Sequence, residues 1–332
     1  MFKKKTGITA LALAIAMTGV TGCSSKSSSS DSKSNSDNKS LSVVCTIFPE
    51  YDWVKEILGD HANNVELTYL LDNGVDLHSY QPTADDMMKI STCDLFVYVG
   101  GESDEWVEDA LEDAQNKDMK VINLMDVLGD SAKEEELKEG MQGEDGEESE
   151  EEEEIEYDEH VWLSLKNAKV LCTEIEKNIE AIDSANAADY KTNLDSYVTK
   201  LDELDNNFKT LVDDSSVKTL VFGDRFPFRY LVDDYGLDYY AAFIGCSAET
   251  EASFDTIAFL SDKVKELNCK TIFTLENSSK DIANTIISTS GQTVDIAELN
   301  SLQSVSTDDI NNGASYLSLM QKNYDVLSST LK

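Results

Sequence analysis

Histidine is scarce in this chain: His61, His78 and His160 are the three among 332 residues. Basic side chains are also few, 27 against 65 acidic ones, for a formal net charge of −38. Non-specific nucleic-acid binding is thereby excluded, because phosphate contacts need a basic surface. Most of the acidity serves solubility, and the remainder favours cationic ligands. The cysteines Cys23, Cys45, Cys93, Cys172, Cys246 and Cys269 include no CxxC pair, which removes zinc ribbons and CxxC redox motifs. Beyond Cys23 five remain, an odd number, so at least one stays free unless chains cross-link. Cys45, Cys93 and Cys269 lie at the edges of apolar runs and read as small buried hydrophobes. There is no GxSxG elbow, no HExxH helix and no phosphate loop. The apolar run from Ile8 to about Val20 falls short of the ~20 residues of a comfortable membrane span.

That run has a different meaning. Met1-Phe2-Lys3-Lys4-Lys5 precedes it and Val20-Thr21-Gly22-Cys23 follows it, the layout of a secretory signal over residues 1–22. A cysteine directly after a small residue at this point resembles the bacterial lipobox, so Cys23 is the expected lipidation site. Several acyl chains, at ~0.8 kcal/mol per buried methylene, make a stable anchor. Residues 23–40 are rich in Ser, Asp, Lys and Asn and read as a flexible tether. Removing residues 1–22 takes away three lysines and no acids, moving the charge from −38 to −41.

Beyond the tether, strand-like and helix-like stretches alternate. Leu41–Ile47, Val65–Leu70, Leu95–Val99 and Val121–Leu124 have strand character. Stretches around Trp53–Leu58, Thr83–Lys89 and Glu105–Ala114 are helical. The alternation predicts a parallel sheet in an α/β lobe over 41–180. Residues 134–159 break the rhythm with Glu134-Glu135-Glu136, Gly140, Gly143, Gly146 and the run Glu150–Glu154, and read as a solvated acidic insertion. From Leu165 to about Leu211 the pattern is helical. Leu194, Tyr197, Leu201, Leu204 and Phe208 form one apolar stripe on a linking helix placed at 181–213. A second alternating block fills 214–332, with strands at Thr219–Phe222, Tyr239–Ile244, Thr271–Leu275 and Thr293–Ile296. Helices are expected there at Phe254–Leu267, Lys280–Ser288 and Ala314–Leu331. The predicted fold is two similar α/β lobes with parallel sheets, bridged by one long helix.

Two of the three histidines sit in distinctive settings: Gly74-Val75-Asp76-Leu77-His78-Ser79-Tyr80-Gln81-Pro82 and Tyr157-Asp158-Glu159-His160-Val161-Trp162-Leu163-Ser164. Histidines so few, placed among carboxylates and small polar residues, point to metal binding. Otherwise His78 would cap the helix at Pro82, and His160 would be solvated by the acidic stretch. His61, in a turn between helix and strand, reads as a surface residue.

With these landmarks the chain resembles the substrate-binding lipoproteins of bacterial ABC importers for zinc and manganese, over essentially the whole mature domain. The marks are Ile47-Phe48-Pro49-Glu50-Tyr51, the stretch around His78, Gly100-Gly101-Glu102-Ser103-Asp104-Glu105-Trp106 and Asp158–Ser164. Further marks are Phe226-Pro227-Phe228-Arg229-Tyr230 leading to Tyr235-Gly236-Leu237, and Ala248-Glu249-Thr250-Glu251. The resemblance implies a rigid linking helix and a metal site between the lobes, with His78 and His160 as the first two ligands. The family's third slot falls on Arg225, which is always charged and cannot ligate; a shift of one residue would bring in Asp224. The fourth slot falls on Asn300, a poor zinc ligand. Glu276, at the end of the Thr271–Leu275 strand, could substitute or could cap the following helix, and Asp295 is a weaker candidate. The acidic insertion stands where zinc-specific members carry a histidine-rich loop. It has no histidine and serves either to concentrate cations or as a spacer.

The expected function is a lipid-anchored, extracytoplasmic, monomeric receptor that captures a divalent transition metal and delivers it to the permease subunits of an ABC importer. Two imidazoles favour Zn²⁺; oxygen-rich completion of the shell would favour Mn²⁺. Two other readings compete. A metallohydrolase would need an open coordination position and a general base, for which Glu159 is the one candidate. A surface adhesin could use the same fold. If Cys23 is the lipidated residue, Cys23→Ser should yield a soluble or unprocessed product. Mass spectrometry finding an unmodified mature N-terminus downstream of Cys23 would reject the anchor.

Overall fold

A computed structural model describes residues 40–143, 156–247 and 251–332. The signal, Cys23, the tether, the glutamate run Glu150–Glu154 and Ala248-Glu249-Thr250 lie outside the described residues. The first half contains strands β1 (Ser42–Cys45), β2 (Glu66–Tyr69), β3 (Leu95–Tyr98) and β4 (Lys120–Asn123). Its helices are α1 (Phe48–Leu58), α2 (Ala84–Thr92), α3 (Trp106–Glu112) and α4 (Leu124–Leu128). All four strands are parallel, in the order β2-β1-β3-β4, with Val43 opposite both Leu67 and Leu95. Val43, Val44, Cys45, Leu95, Phe96 and Val97 are all buried. Central strands covered on both faces need such continuous apolar runs. Helix α2 starts where Thr83 and Asp86 exchange side chain-to-backbone hydrogen bonds, a reciprocal N-terminal cap.

Helix α5 (Leu165–Ile182) and helix α6 (Ala187–Asp214) follow. The linking helix therefore begins later than residue 181. Asp183 breaks the helical path with φ −126° and ψ 67°. Its carboxylate accepts hydrogen bonds from Tyr190 Oη (2.6 Å) and Asn186 Nδ2 (2.7 Å), holding the turn. At 1.5 Å per residue α6 is ~40 Å long, enough to run the length of a small domain. The expected stripe is buried along it, together with Tyr190 and Val212. It packs against α1 and α5.

The second half adds strands β5 (Thr219–Val221), β6 (Arg225–Phe226), β7 (Asp238–Tyr240), β8 (Phe243–Ile244), β9 (Thr271–Leu275) and β10 (Asp295–Leu299). Its helices are α7 (Arg229–Tyr235), α8 (Phe254–Glu266), α9 (Asp281–Ser290), α10 (Thr307–Asn311) and α11 (Tyr316–Thr330). The single strand expected at Tyr239–Ile244 is two, because Ala241-Ala242 leaves one ladder to join another; Ala242 N donates to Asp224 O at 3.1 Å. β5 pairs with β7 and β9 with β10, all parallel. A bridge between Phe222 and Phe273 joins the two pairs. The resulting order β7-β5-β9-β10 repeats β2-β1-β3-β4, so the two lobes share one topology. In such sheets the loops at the carboxyl ends of the strands line the ligand crevice.

The lobes are not separate hydrophobic bodies. One core runs from Val43 and Phe96 through Leu201 and Phe208 on α6 to Leu302 and Tyr316. A smaller core of Val221, Phe243, Leu260, Ile272 and Ile286 underlies α8 and α9. Polar ties join the halves as well. Trp162 Nε1 donates to Ser301 O (2.8 Å), Tyr69 Oη to Val305 O (2.8 Å) and Thr307 N to Asp72 O (2.7 Å).

The described ends of the acidic insertion are held by backbone pairing, although Glu134, Glu136, Leu137, Glu139 and Tyr157 remain exposed. Glu135 N donates to Glu156 O (2.9 Å), and Gln142 N donates to Ala242 O (2.9 Å) beside β8. Asp158 and Glu159 are buried. A composition argument misses this, because backbone pairing needs no apolar periodicity.

Several carboxyls are buried near the first sheet. Burial, then the charge of Asp104, raises Glu50 to about 8. Burial raises Asp52 to about 7. Burial, with Glu159 adding to it, raises Asp104 to about 7. In an unfolded chain such groups titrate near pH ~4. Between about pH 4 and 8 the native state therefore holds protons the unfolded state has lost, and stability falls as pH rises through that window. The urea midpoint of the metal-free protein is expected to be lower at about pH 8 than at about pH 5.5, with Glu50→Gln flattening the slope. A midpoint that climbs over the same interval would contradict this.

Candidate functional site

His78 is positioned by a short turn, Leu77–Ser79, in the loop after β2. Leu77 anchors the turn in the core, and the Asp76 side chain accepts from His78 N (3.1 Å). The imidazole Nδ1 meets Ser103 Oγ at 2.8 Å, in the turn after β3. Glu159 Oε1 accepts from Ser103 N (2.8 Å), while its Oε2 lies 3.5 Å from His78 Nδ1. Gly101 permits this approach. Its φ is +85°, and a Cβ there would stand 2.7 Å from Glu159 Cγ.

His160 is fully buried. Asp158 Oδ1 accepts both its backbone N–H and its Nδ1–H, each at 2.9 Å. The turn Val161–Leu163 carries it, and Trp162 pins that turn through the Ser301 bond. The two sequence-predicted histidines are brought together, with Nε2 atoms 3.3 Å apart.

The tautomers follow from the partners. A carboxylate oxygen accepts, so the Nδ1 of His160 is the donor to Asp158 and its Nε2 is the atom that faces His78. Burial and then the neighbouring His160 hold His78 down to about 3, so it is neutral at physiological pH. The amide of Gln303, oriented by its neighbours, donates to both oxygens of Asp76 (2.9 Å each), and its carbonyl oxygen accepts from His160 Nε2. The two imidazole Nε2 atoms thus converge on one point of the cleft. Two nitrogens ~2.0–2.1 Å from one tetrahedral ion would stand ~3.3–3.4 Å apart, the separation found here.

The carboxylates expected from the second lobe do not join them. Asp224 Oδ2 accepts from Leu275 N (3.1 Å) and Oδ1 from Arg225 N (2.9 Å). Glu276 takes Ser301 N (2.8 Å) and Ser301 Oγ (2.6 Å), and burial raises its pKa. Both serve backbone N–H groups left open in the cleft loops. Glu50 and Asp104 do the same in the first lobe, on Thr46 and Ile47 and on Val99 and Gly100. Asp295 is exposed at the amino end of β10, away from the cleft-forming ends. Asn300 Oδ1 accepts from Leu302 N (2.9 Å). Arg225 pairs with Asp76 across the cleft at 2.6 Å, using the slot for salt-bridging. His61 is half-buried in the turn between α1 and β2, against Asp189 on α6 (2.9 Å).

Sequence reasoning missed Cys246. Among the described residues, His78, His160 and Cys246 form the one group of three metal-capable side chains whose donor atoms lie within 4.8 Å of one another. Gly245 brings that loop close: a Cβ on it would lie 2.9 Å from His160 Cε1 and 3.0 Å from Phe226 O. Burial, then Asp158 and Glu135, raises the Cys246 thiol well above its usual range. Glu135, itself raised to about 7 by burial and Asp158, accepts from Cys246 N (3.4 Å). The available signal was position: Cys246 lies two residues after the strand-like run ending at Ile244, at a carboxyl end where cleft loops begin.

The relatives agree with this architecture. The zinc-binding lipoprotein AdcA of Streptococcus pneumoniae strain R6 is 33% identical over 291 residues, covering 87% of this chain. The chain spans only 56% of that relative's length. The high-affinity zinc uptake system protein ZnuA of Bacillus subtilis strain 168 is 30% identical over 333 residues, covering 100% of this chain and 99% of the relative. Among solved structures, the Zn(II)-bound ZnuA-like domain of S. pneumoniae AdcA has a TM-score of 0.67 at 31% identity, covering 88% of this chain and 98% of that one. The metal-dependent lipoprotein YcdH of B. subtilis has a TM-score of 0.70 at 28% identity, covering 88% and 99%. The family described as ZnuA, zinc-uptake complex component A, periplasmic, matches residues 43–330, and the chain belongs to that family.

Proposed function

We propose that this protein is the extracytoplasmic receptor of an ABC-type metal importer, which captures Zn²⁺ in the interlobe cleft through His78 and His160 and passes it to a membrane permease. The observation that carries the reading is the facing pair of Nε2 atoms, 3.3 Å apart, each on a ring whose other nitrogen is held by Ser103 or Asp158. Such outer partners orient an imidazole ligand and raise its basicity. Ligands named in this family's relatives point the same way, since AdcA and ZnuA are named for zinc.

The role is binding rather than catalysis. Capture and release call for no nucleophile and no general base. Glu159, the one base a hydrolase could use, has its Oε1 on Ser103 N and its Oε2 beside His78. That is the place of a group that orients the ligand. Lipidation at Cys23 would keep the receptor at the membrane surface, near its permease. The charge of the chain adds long-range attraction for a divalent cation.

Calorimetric titration should give one tight equivalent of Zn²⁺. His78→Ala and His160→Ala should each weaken it by well over tenfold, more than ~1.4 kcal/mol. The double variant should lose specific binding. Zinc should also raise the thermal midpoint of the parent, because it binds the native state alone. Variants that bind zinc like the parent would sink this reading, and one tight equivalent of Mn²⁺ in place of Zn²⁺ would change the cargo.

A further inference from the structure

Building on the zinc-receptor reading, we propose that Cys246 supplies a thiolate as the third metal ligand, so that the site is His₂Cys rather than histidine and carboxylate. Three observations support it. Its sulfur lies within 4.8 Å of both histidine donors. A tetrahedral ion bound at ~2.3 Å to sulfur and ~2.0–2.1 Å to nitrogen would need these atoms ~3.6 Å apart, so loop closure of about 1 Å completes the contact. The second observation is Gly245. A Cβ at this position would stand 2.9 Å from His160 Cε1 and 3.0 Å from Phe226 O, so a residue without one lets the loop pack this closely on the ring. The third is that the alternatives are occupied. Arg225 is paired with Asp76, Asp224 with backbone N–H groups, and Glu276 with Ser301.

The chemistry balances simply. As the sulfur–zinc bond forms, the thiol proton leaves to solvent, and the ion's charge stabilises the thiolate left behind. No oxidant or reductant is involved. Cys246 sits on the second lobe while His78 and His160 come from the first, so the thiolate would be the ligand that ties the two lobes through the ion. A soft sulfur donor also sets the cargo. It favours zinc over manganese, which prefers oxygen ligands. The same atom would make loading sensitive to thiol oxidation, unlike an all-nitrogen and oxygen site.

Cobalt(II) is a direct probe, because a thiolate ligand gives a charge-transfer absorption in the near ultraviolet that nitrogen and oxygen ligands do not. Titration of the purified protein with Co²⁺ should produce that band, saturating at one equivalent and displaced by Zn²⁺. Cys246→Ser should abolish the band and weaken zinc by more than tenfold, while Cys269→Ser keeps both. A parent that binds one equivalent of zinc without any charge-transfer band on cobalt, with Cys246→Ser binding zinc equally well, would overturn the cysteine assignment and leave the receptor reading standing. If Cys246→Ser fails to fold, the band in the parent decides alone. A parent that binds neither ion specifically would overturn both.

Discussion

Trp162 has no chemistry of its own in the cleft, yet the cleft depends on its burial. It is fully buried two residues after His160. Its indole donates to Ser301 O, and its carbonyl accepts from Tyr316 Oη at 2.6 Å. Burial of ~200 Å² of a large aromatic is worth of order 5 kcal/mol as an upper estimate. One residue, through its indole and its carbonyl, thus fastens the His160 turn to the loop after β10 and to α11. The histidine cannot swing without breaking contacts on three elements.

Around that fixed turn the cleft solves a satisfaction problem. Parallel sheets end in unpaired backbone N–H groups, and here those ends are buried. Glu50 and Asp104 take them in the first lobe, Asp224 and Glu276 in the second. Carboxylates used in this way are engaged already, which separates them from ligands despite their place at the ends of strands. The nitrogens and the sulfur are different. These donor atoms come within 4.8 Å of one another, close enough to share a single cation.

The continuous core bears on how such a receptor could work. With one face of α6 buried along its length and the main core spanning both lobes, a large hinge opening would expose apolar surface from Leu201 to Phe208. Movement that costs less is confined to loops at the cleft, of which the Gly245-Cys246 loop is one. The Asp76–Arg225 pair across the cleft, both groups partly buried, adds a further tie between lobes. A partly buried pair of this kind orients the halves more than it stabilises them.

Much of this was legible in the chain itself. Apolar runs bounded by turn residues marked the central strands, because a buried parallel strand needs both faces apolar. The spacing of Leu194, Tyr197, Leu201, Leu204 and Phe208 marked the helix, because its period is 3.6. His78 and His160 stood out by rarity and setting. What the sequence could not determine was which polar groups were free. Asp224 and Glu276 are as suitable in a string as any ligand, and only the packed structure uses up their oxygens on neighbouring N–H groups. Cys246 looked like one of five cysteines beyond Cys23, with nothing to set it apart. Its nearness to two histidines, 86 and 168 residues earlier, arises when two sheets of the same topology face each other. Donor convergence is a long-range property of the fold, and local periodicity carries no record of it.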